Sequence, residues 1–284
     1  MSCVVLTFHG IHDEMSEFRL DNSVDSRGLI SYVDLENLIV AFISRGYKFK
    51  KFSEICAEKK EICLTFDDGY ANNLILKKLV DKYKIPFTIF ICGKFIAESK
   101  MFWWDIIHNM DSKINLAIFK RKYSSYILWK NYSERFSNIY LSEINRPLNI
   151  MELIDLSKNS YFELGCHTHT HTILNNVNKN DFVADVKKSI RFIEDVTGKR
   201  PRSFAFPDGD YINCPEILEF LTESFDAVAV VNQRIGYNSD GFISRIMLKT
   251  FDDDIVKMYF GIINSRSRRC ILILKRWLSV NVIS

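Results

Sequence analysis

The sequence contains no Cys-x-x-Cys pair, and its seven cysteines (3, 56, 63, 92, 166, 214 and 270) are scattered and odd in number. That pattern argues against a disulfide framework and fits reduced thiols in a cytosolic compartment. Only 5 prolines and 11 glycines occur in 284 residues, which excludes collagen-like and low-complexity chains. No apolar stretch reaches the length of a membrane-spanning helix. The opening, Met1-Ser2-Cys3-Val4-Val5-Leu6-Thr7-Phe8-His9, has no basic region and too short an apolar run for a signal peptide. A cytoplasmic location, if need be at the inner face of a membrane, is the expectation. Charge of one sign is also missing. The net value is +3, from 38 basic and 35 acidic residues, too little to indicate a nucleic-acid partner. A G-x-S-x-G elbow, a Walker A loop and a G-x-G-x-x-G fingerprint are all absent, so a serine hydrolase of that type, a P-loop NTPase and a Rossmann dehydrogenase lose support.

What is present is an ordinary globular composition, 47% hydrophobic and 13% aromatic, in a chain of 33.2 kDa. This length suits one large domain or two small ones, with a core that needs no disulfide or metal for folding. Short apolar runs at Val4–Phe8, Glu61–Phe66, Phe87–Ile91, Phe162–Cys166, Ser203–Phe206 and Ala227–Val231 read as strands. Helical spacing covers Asp34–Arg45, Asn72–Tyr83, Asp181–Val196 and Pro215–Thr222, with Gly46 and Gly198 as stops. Strand, helix, strand with short links implies a parallel α/β sheet. Met101–Asn159, rich in Trp, Tyr, Lys and Asn, reads as a helical insertion. The last twenty residues, 265–284, hold five basic residues and no acid, which leaves residues 1–264 at net −2. Their basic ends flank an apolar run, Cys270–Leu274. The tail reads either as an element packed on the body or as a peripheral contact with anionic lipid.

Three segments could carry chemistry. Asp67-Asp68-Gly69 follows a strand, where parallel α/β folds place their sites. Two carboxylates that close repel, and a cation would remove the penalty. The plain alternative is a solvated Asp-Gly turn. His167-Thr168-His169-Thr170-His171 also follows a strand and holds three of the six histidines. Neutral imidazole is a common ligand of Zn²⁺ and related ions. In a turn His167 and His171 share a face and His169 points away; in an extended strand all three share one. The third is Phe204-Ala205-Phe206-Pro207-Asp208-Gly209, a strand entering a turn. Together they suggest that two histidines and one carboxylate hold a divalent ion while the other carboxylate serves as general base.

These segments resemble the motifs of the polysaccharide deacetylases, the NodB-homology or carbohydrate esterase family 4 enzymes, and in particular their exopolysaccharide-type members. Thr65-Phe66-Asp67-Asp68-Gly69 is similar to T-F-D-D-G, His167-Thr168-x-x-His171 to H-[ST]-x-x-H, Phe204–Gly209 to F-A-Y-P-x-G, and Leu6-Thr7-Phe8-His9-Gly10 to L-x-Y-H-G. The resemblance covers about residues 1–100 and 160–250. It implies a distorted (β/α) barrel over residues 1–264 with a helical insertion at about 101–159. It also implies one divalent metal, with Zn first and Co or Ni as alternatives, on Asp68, His167 and His171. Asp67 would be the general base, and a backbone N–H near Asp208 would face the oxyanion. The implied substrate is an N-acetylated sugar or glycan of a surface polysaccharide or its nucleotide- or lipid-linked precursor. A deformylase of a lipid-linked amino sugar and an inactive carbohydrate-binding protein are the alternatives.

The sequence departs from the family pattern in three ways. The Asp67-Asp68 and His167 motifs lie about 100 residues apart, longer than in compact members, and the extra length is the Met101–Asn159 segment. Ala205 stands where many members carry an Arg that braces the catalytic Asp. No His follows His171, so the usual late general acid is missing. Arg245 lies in that neighbourhood and cannot donate a proton. With Trp103 and Trp104, which could stack on sugar rings, it completes the expected substrate-binding residues. His9 is placed near the site by analogy.

Overall fold

The computed structural model describes residues 3–20, 28–56, 58–111, 113–209, 214–231 and 241–247. The tail expected at 265–284 lies outside the described residues. Ten strands appear in chain order: β1 (Val4–Phe8), β2 (Gly10–His12), β3 (Leu29–Ser31), β4 (Lys48–Phe49), β5 (Glu61–Phe66), β6 (Phe87–Ile91), β7 (Phe162–Cys166), β8 (Ser203–Ala205), β9 (Ala227–Val231) and β10 (Ile243–Met247). Seven of them, β1 and β5 to β10, pair only in parallel and close on themselves through β1–β5 and β1–β10. The result is a seven-stranded (β/α) barrel. β4 extends β5 at its start, and β2 and β3 form a separate two-stranded piece.

Period-two alternation sorts the barrel side chains. Outward-facing Leu6, Phe8, Ile62, Leu64, Phe66, Phe87, Ile89, Phe204 and Val230 join the helices in the main core. Inward-facing Val5, Cys63, Phe90, Ala205, Ala229 and Ile243 fill the barrel, with Phe52 against Phe90. Gly165 is required here, because a Cβ would lie 2.5 Å from the Phe90 ring and 2.7 Å from Ser203 Oγ. Thr7, Thr65 and Arg245 make a polar inner layer above this plug.

Nine α-helices are described: α1 (Tyr32–Ser44), α2 (Leu76–Tyr83), α3 (Gly93–Glu98), α4 (Trp103–Met110), α5 (Leu116–Lys122), α6 (Ser125–Leu128), α7 (Ile150–Lys158), α8 (Lys179–Thr197) and α9 (Pro215–Ser224). Ser31 caps α1 and Asn178 caps α8 at their N-termini. Gly46 and Gly198, at φ 74° and 69°, follow their C-terminal ends. The single helix expected over 72–83 is instead a 3₁₀ turn (Ala71–Ile75) leading into α2. Tertiary bonds account for the change. Asn72 accepts from the Ile11 N–H and donates to the Ile144 carbonyl, and Asn73 donates to the His9 carbonyl.

The segment 101–159 has two parts. Phe102, Trp103, Trp104, Ile107, Leu116, Leu128 and Trp129 build a second core with Tyr70, Cys92 and Phe95. α7 instead sends Leu153 and Leu156 into the main core, as a crossover helix before β7 does. β10 carries no sequence signal strong enough to be expected, since Arg245 interrupts its apolar run. Its partners on both sides supply the pairing. Among the described residues all six cysteines are free, and no helix is long and apolar enough to cross a membrane.

Candidate metal centre

Both carboxylates stand at the end of β5. The Asp67 N–H donates to the Phe8 carbonyl at 2.8 Å, continuing the ladder, so Asp67 extends the inward set Cys63, Thr65. Alternation would send Asp68 outward. Its left-handed backbone (φ 74°) turns it back toward the barrel mouth, and Gly69 follows at φ 85°. On β7 the His167 N–H donates to the Ile91 carbonyl, which makes His167 the next inward residue after Gly165. Thr168 (φ 61°) and His171 (φ 57°) then bend the loop so that the second imidazole returns to the first. A non-glycine residue in this region costs about 1–3 kcal/mol, a cost carried here by the surrounding bonds.

The outcome is a buried trio. His167 Nε2 lies 3.5 Å and His171 Nε2 3.6 Å from Asp68 Oδ1, and all three donor atoms fall within 4.8 Å of one another. Ligand bonds of about 2.0–2.2 Å at tetrahedral angles separate donors by about 3.3–3.6 Å, so the set is spaced for a divalent ion. Its protonation suits one as well. Burial pushes His167 down to about 4 and His171 well below the ordinary imidazole range, with Lys120 and His167 adding to the latter, so both rings are neutral at pH 7. His167 Nδ1 bonds the Ala205 carbonyl at 2.8 Å, which orients the ring with Nε2 toward Asp68. Burial, and then repulsion from Asp67, raises the Asp68 carboxyl well above the usual range. That penalty is the one a cation at this point would remove. His169 stands apart: its ring packs on Phe192, and it is outside the trio.

Asp67 has the opposite environment. Arg245 grips it with a planar fork, Nη1 to Oδ1 at 2.6 Å and Nη2 to Oδ2 at 2.9 Å. Nη1 also donates to Thr7 and Thr65, and the guanidinium lies 5.1 Å from the Phe90 ring centre. Burial by itself would raise the Asp67 pKa. Arg245, with His167 and His9, outweighs it and holds the carboxylate below its ordinary value. Two adjacent aspartates are thus pushed apart in pKa, the pattern of a site that assigns them different tasks.

The expected substrate-binding residues need correction. Arg245 is fully buried and committed to Asp67, so it does not meet a substrate. Trp103 is fully buried as well, with no ring face for a sugar. Trp104 is buried too, with Phe102 stacked on it at 4.8 Å and the tilted His171 ring at 4.6 Å. Its Nε1 donates to the Tyr70 hydroxyl, which in turn donates to Asp105. Both tryptophans are therefore core and support for the histidine loop. α6 adds a bond from Ser125 Oγ to the His171 carbonyl at 2.5 Å.

Asp208 sits in a left-handed turn (φ 59°) beyond β8, and its carboxylate accepts from Lys120 of α5 at 2.6 Å. Sequence reasoning missed Lys120 because a lysine in a lysine-rich segment carries no signal. It also missed Tyr70 and Asp105, whose roles exist only through contacts 34 and 35 positions apart. His9, directly after β1, is half-buried at the mouth and feels the charges of Asp67, Lys120, Arg245 and Asp208. Its ring lies so close to Gly28 that a Cβ there would be 1.9 Å from Nδ1.

Comparison with known proteins gives a consistent result. The pattern of one family, described as Polysaccharide deacetylase, matches residues 54–215. A polysaccharide deacetylase from Bacillus cereus aligns at a TM-score of 0.60 and 16% identity, over 87% of this chain and 65% of that one. The Streptococcus pyogenes deacetylase PplD, solved in complex with acetate, aligns at 0.60 and 14% identity over 87% and 92% of the two chains. IcaB from Ammonifex degensii gives 0.56 and 17% over 87% and 91%. At these identities the likeness is one of fold. The chain spans about two thirds of the Bacillus protein's length. No protein with a curated description matches.

Proposed function

The chain belongs to the polysaccharide deacetylase family, and from that premise we propose that it is a metal-dependent hydrolase that removes an N-acetyl group from an amino sugar. The amino sugar would belong to a surface polysaccharide or to its nucleotide- or lipid-linked precursor. One observation carries the reading. Two neutral histidines and Asp68 converge on one point, beside a second carboxylate that Arg245 keeps ionised.

Asp68, His167 and His171 would hold the divalent ion, with Zn²⁺ first by the donor set and Co²⁺ or Ni²⁺ also suited. When bound, such an ion polarises an acyl carbonyl and lowers the pKa of water. Asp67 would accept the proton of the attacking water. Arg245 uses one lone-pair direction on each Asp67 oxygen, which leaves others for that water. Breaking the C–N bond then requires a proton on the departing nitrogen. His9 is an imidazole at the mouth outside the trio, and burial lowers its pKa, so it would start neutral and act by passing on to that nitrogen the proton that Asp67 has taken from water. It would fill the place left by the missing late histidine. The Asp208 turn, latched by Lys120, is the segment whose backbone would face the developing oxyanion. Acetate and a free amino sugar are the products.

The test is acetate release from N-acetylated oligosaccharides and nucleotide sugars by the full chain. Release should stop with a chelator, return with Zn²⁺, and fall by about 10²–10⁴-fold in Asp67→Asn. Metal-independent release, or none from any N-acetylated sugar, would overturn the reading and favour a binding protein of the same fold.

A further inference from the structure

A buried carboxylate outside the trio organises the loop that carries its two histidines. Asp185 lies on α8, is 9% exposed, and faces the segment 167–172. Its Oδ2 accepts from the backbone N–H groups of His169 and Thr170, both at 3.0 Å, and from Thr172 Oγ1 at 2.9 Å. Thr170 Oγ1 lies 3.2 Å from each Asp185 oxygen and 2.8 Å from Thr172 Oγ1. Two amides and two hydroxyls from positions 169, 170 and 172 of the loop thus converge on one carboxylate. Thr168 Oγ1 closes the arrangement by accepting from the Thr172 N–H at 2.7 Å.

The loop needs such an anchor. Thr168 and His171 both take left-handed backbone conformations, and for a β-branched threonine that is a strained state. Relaxing either residue would swing the His171 ring away from His167 and Asp68. The bonds from Asp185 fall on the residues between and beside the two strained positions, which fixes the loop where strain would otherwise open it. A carboxylate suits this place better than its amide, since all four partners donate and a carboxylate only accepts.

We propose that Asp185 is a positioning residue for the metal centre: through the Thr170 and Thr172 bonds it holds His167 and His171 at ligand spacing. This rests on the metal reading above and extends it to a residue that touches neither metal nor substrate. A second consequence concerns the threonines of His-Thr-His-Thr-His-Thr. Those at 170 and 172 are anchor points for α8, and Thr168 bridges the loop to itself.

The full chain, stripped with a chelator, would be titrated with Zn²⁺ against a chromophoric competitor. Asp185→Asn keeps size and shape, and supporting partners of this kind change metal affinity by about 10–100-fold when removed. We expect Zn²⁺ affinity to fall by that factor while the far-UV spectrum and cooperative unfolding persist. KM at saturating Zn²⁺ should stay unchanged, and excess Zn²⁺ should restore activity. Thr172→Val, which removes one of the bonds to Asp185 together with the Thr170 contact, should show a smaller loss in the same direction and serves if Asp185→Asn does not fold. Wild-type affinity in the folded Asn variant, or in Thr172→Val, would overturn the proposal. If the wild-type chain itself binds no Zn²⁺, or if His171→Ala binds it equally well, the metal reading fails instead.

Discussion

Asp67 and Asp68 are neighbours in sequence and opposites in state. Asp67 continues the inward rhythm of β5 and meets Arg245, while Asp68 leaves that rhythm through one left-handed residue and meets two imidazoles. The bracing arginine that Ala205 does not supply comes from β10, across the barrel and 178 positions from its partner. Replacing Arg245 by Met leaves a buried carboxylate unpaired, a change that costs about 3–5 kcal/mol. Its consequence for catalysis has a definite sign. With the cation gone, burial of Asp67 is opposed only by His167 and His9, and its pKa rises. The acid limb of kcat/KM, measured at saturating Zn²⁺, should move to higher pH in Arg245→Met, with little movement in KM. An unshifted acid limb would show that Asp67 is not the base. Arg245→Lys should recover only part of the rate, because an ammonium cannot reproduce the two-oxygen fork.

At the scale of elements, the helical segment after α3 supports the site from outside the barrel. α4 packs Trp104 on the His171 ring, α6 bonds the His171 carbonyl, and α5 ties down Asp208. A tryptophan pair in an insertion reads from sequence as a sugar platform. Burial decides otherwise, since a buried ring cannot stack on a ligand. Trp103→Phe should therefore leave KM for any sugar substrate within about two-fold of wild type and act only on stability. Trp104→Ala should cost about 3–5 kcal/mol and loosen Zn²⁺ binding through His171. A large rise in KM for Trp103→Phe would reinstate the platform. The strands themselves were legible because buried parallel strands are short apolar runs. β10 was not, because its centre is a charged residue whose burial is explained by distant partners, Asp67 with Thr7 and Thr65.

At the scale of the whole molecule, closing the barrel between β1 and β10 joins the two ends of the described chain at the site. The metal-free protein should be acid-labile for a related reason. In the unfolded chain His167 takes up a proton near its ordinary value of 6.5, while in the folded barrel it does so only at about 4. Between these values the unfolded state binds more protons, so stability rises with pH across the window and is lost as pH falls from 6.5 toward 4. Thermal unfolding of the chelator-treated protein should show Tm decreasing over that interval. His167→Gln should flatten the slope, and a slope of unchanged size in that variant would refute the assignment. Zn²⁺ at 1,000 times its Kd should add about 4 kcal/mol at pH 7, with a shrinking effect in acid as protons compete for the ligands.

The sequence by itself determined the parallel α/β architecture, the order of most elements, and the residue types of the centre. Hydrophobic period and motif spacing are local properties, and Asp67-Asp68-Gly69 and His167-Thr-x-x-His171 are short enough to be complete within one turn of chain. The tertiary structure alone decided which groups those residues answer to. Arg245 braces Asp67, Asp185 anchors the histidine loop, Trp104 supports His171, and Trp103 is core. Each of these roles depends on a contact between distant segments, and on a burial that turns an ordinary side chain into one that must be paired. Neither the contact nor the burial has a signature in the residues on either side of it.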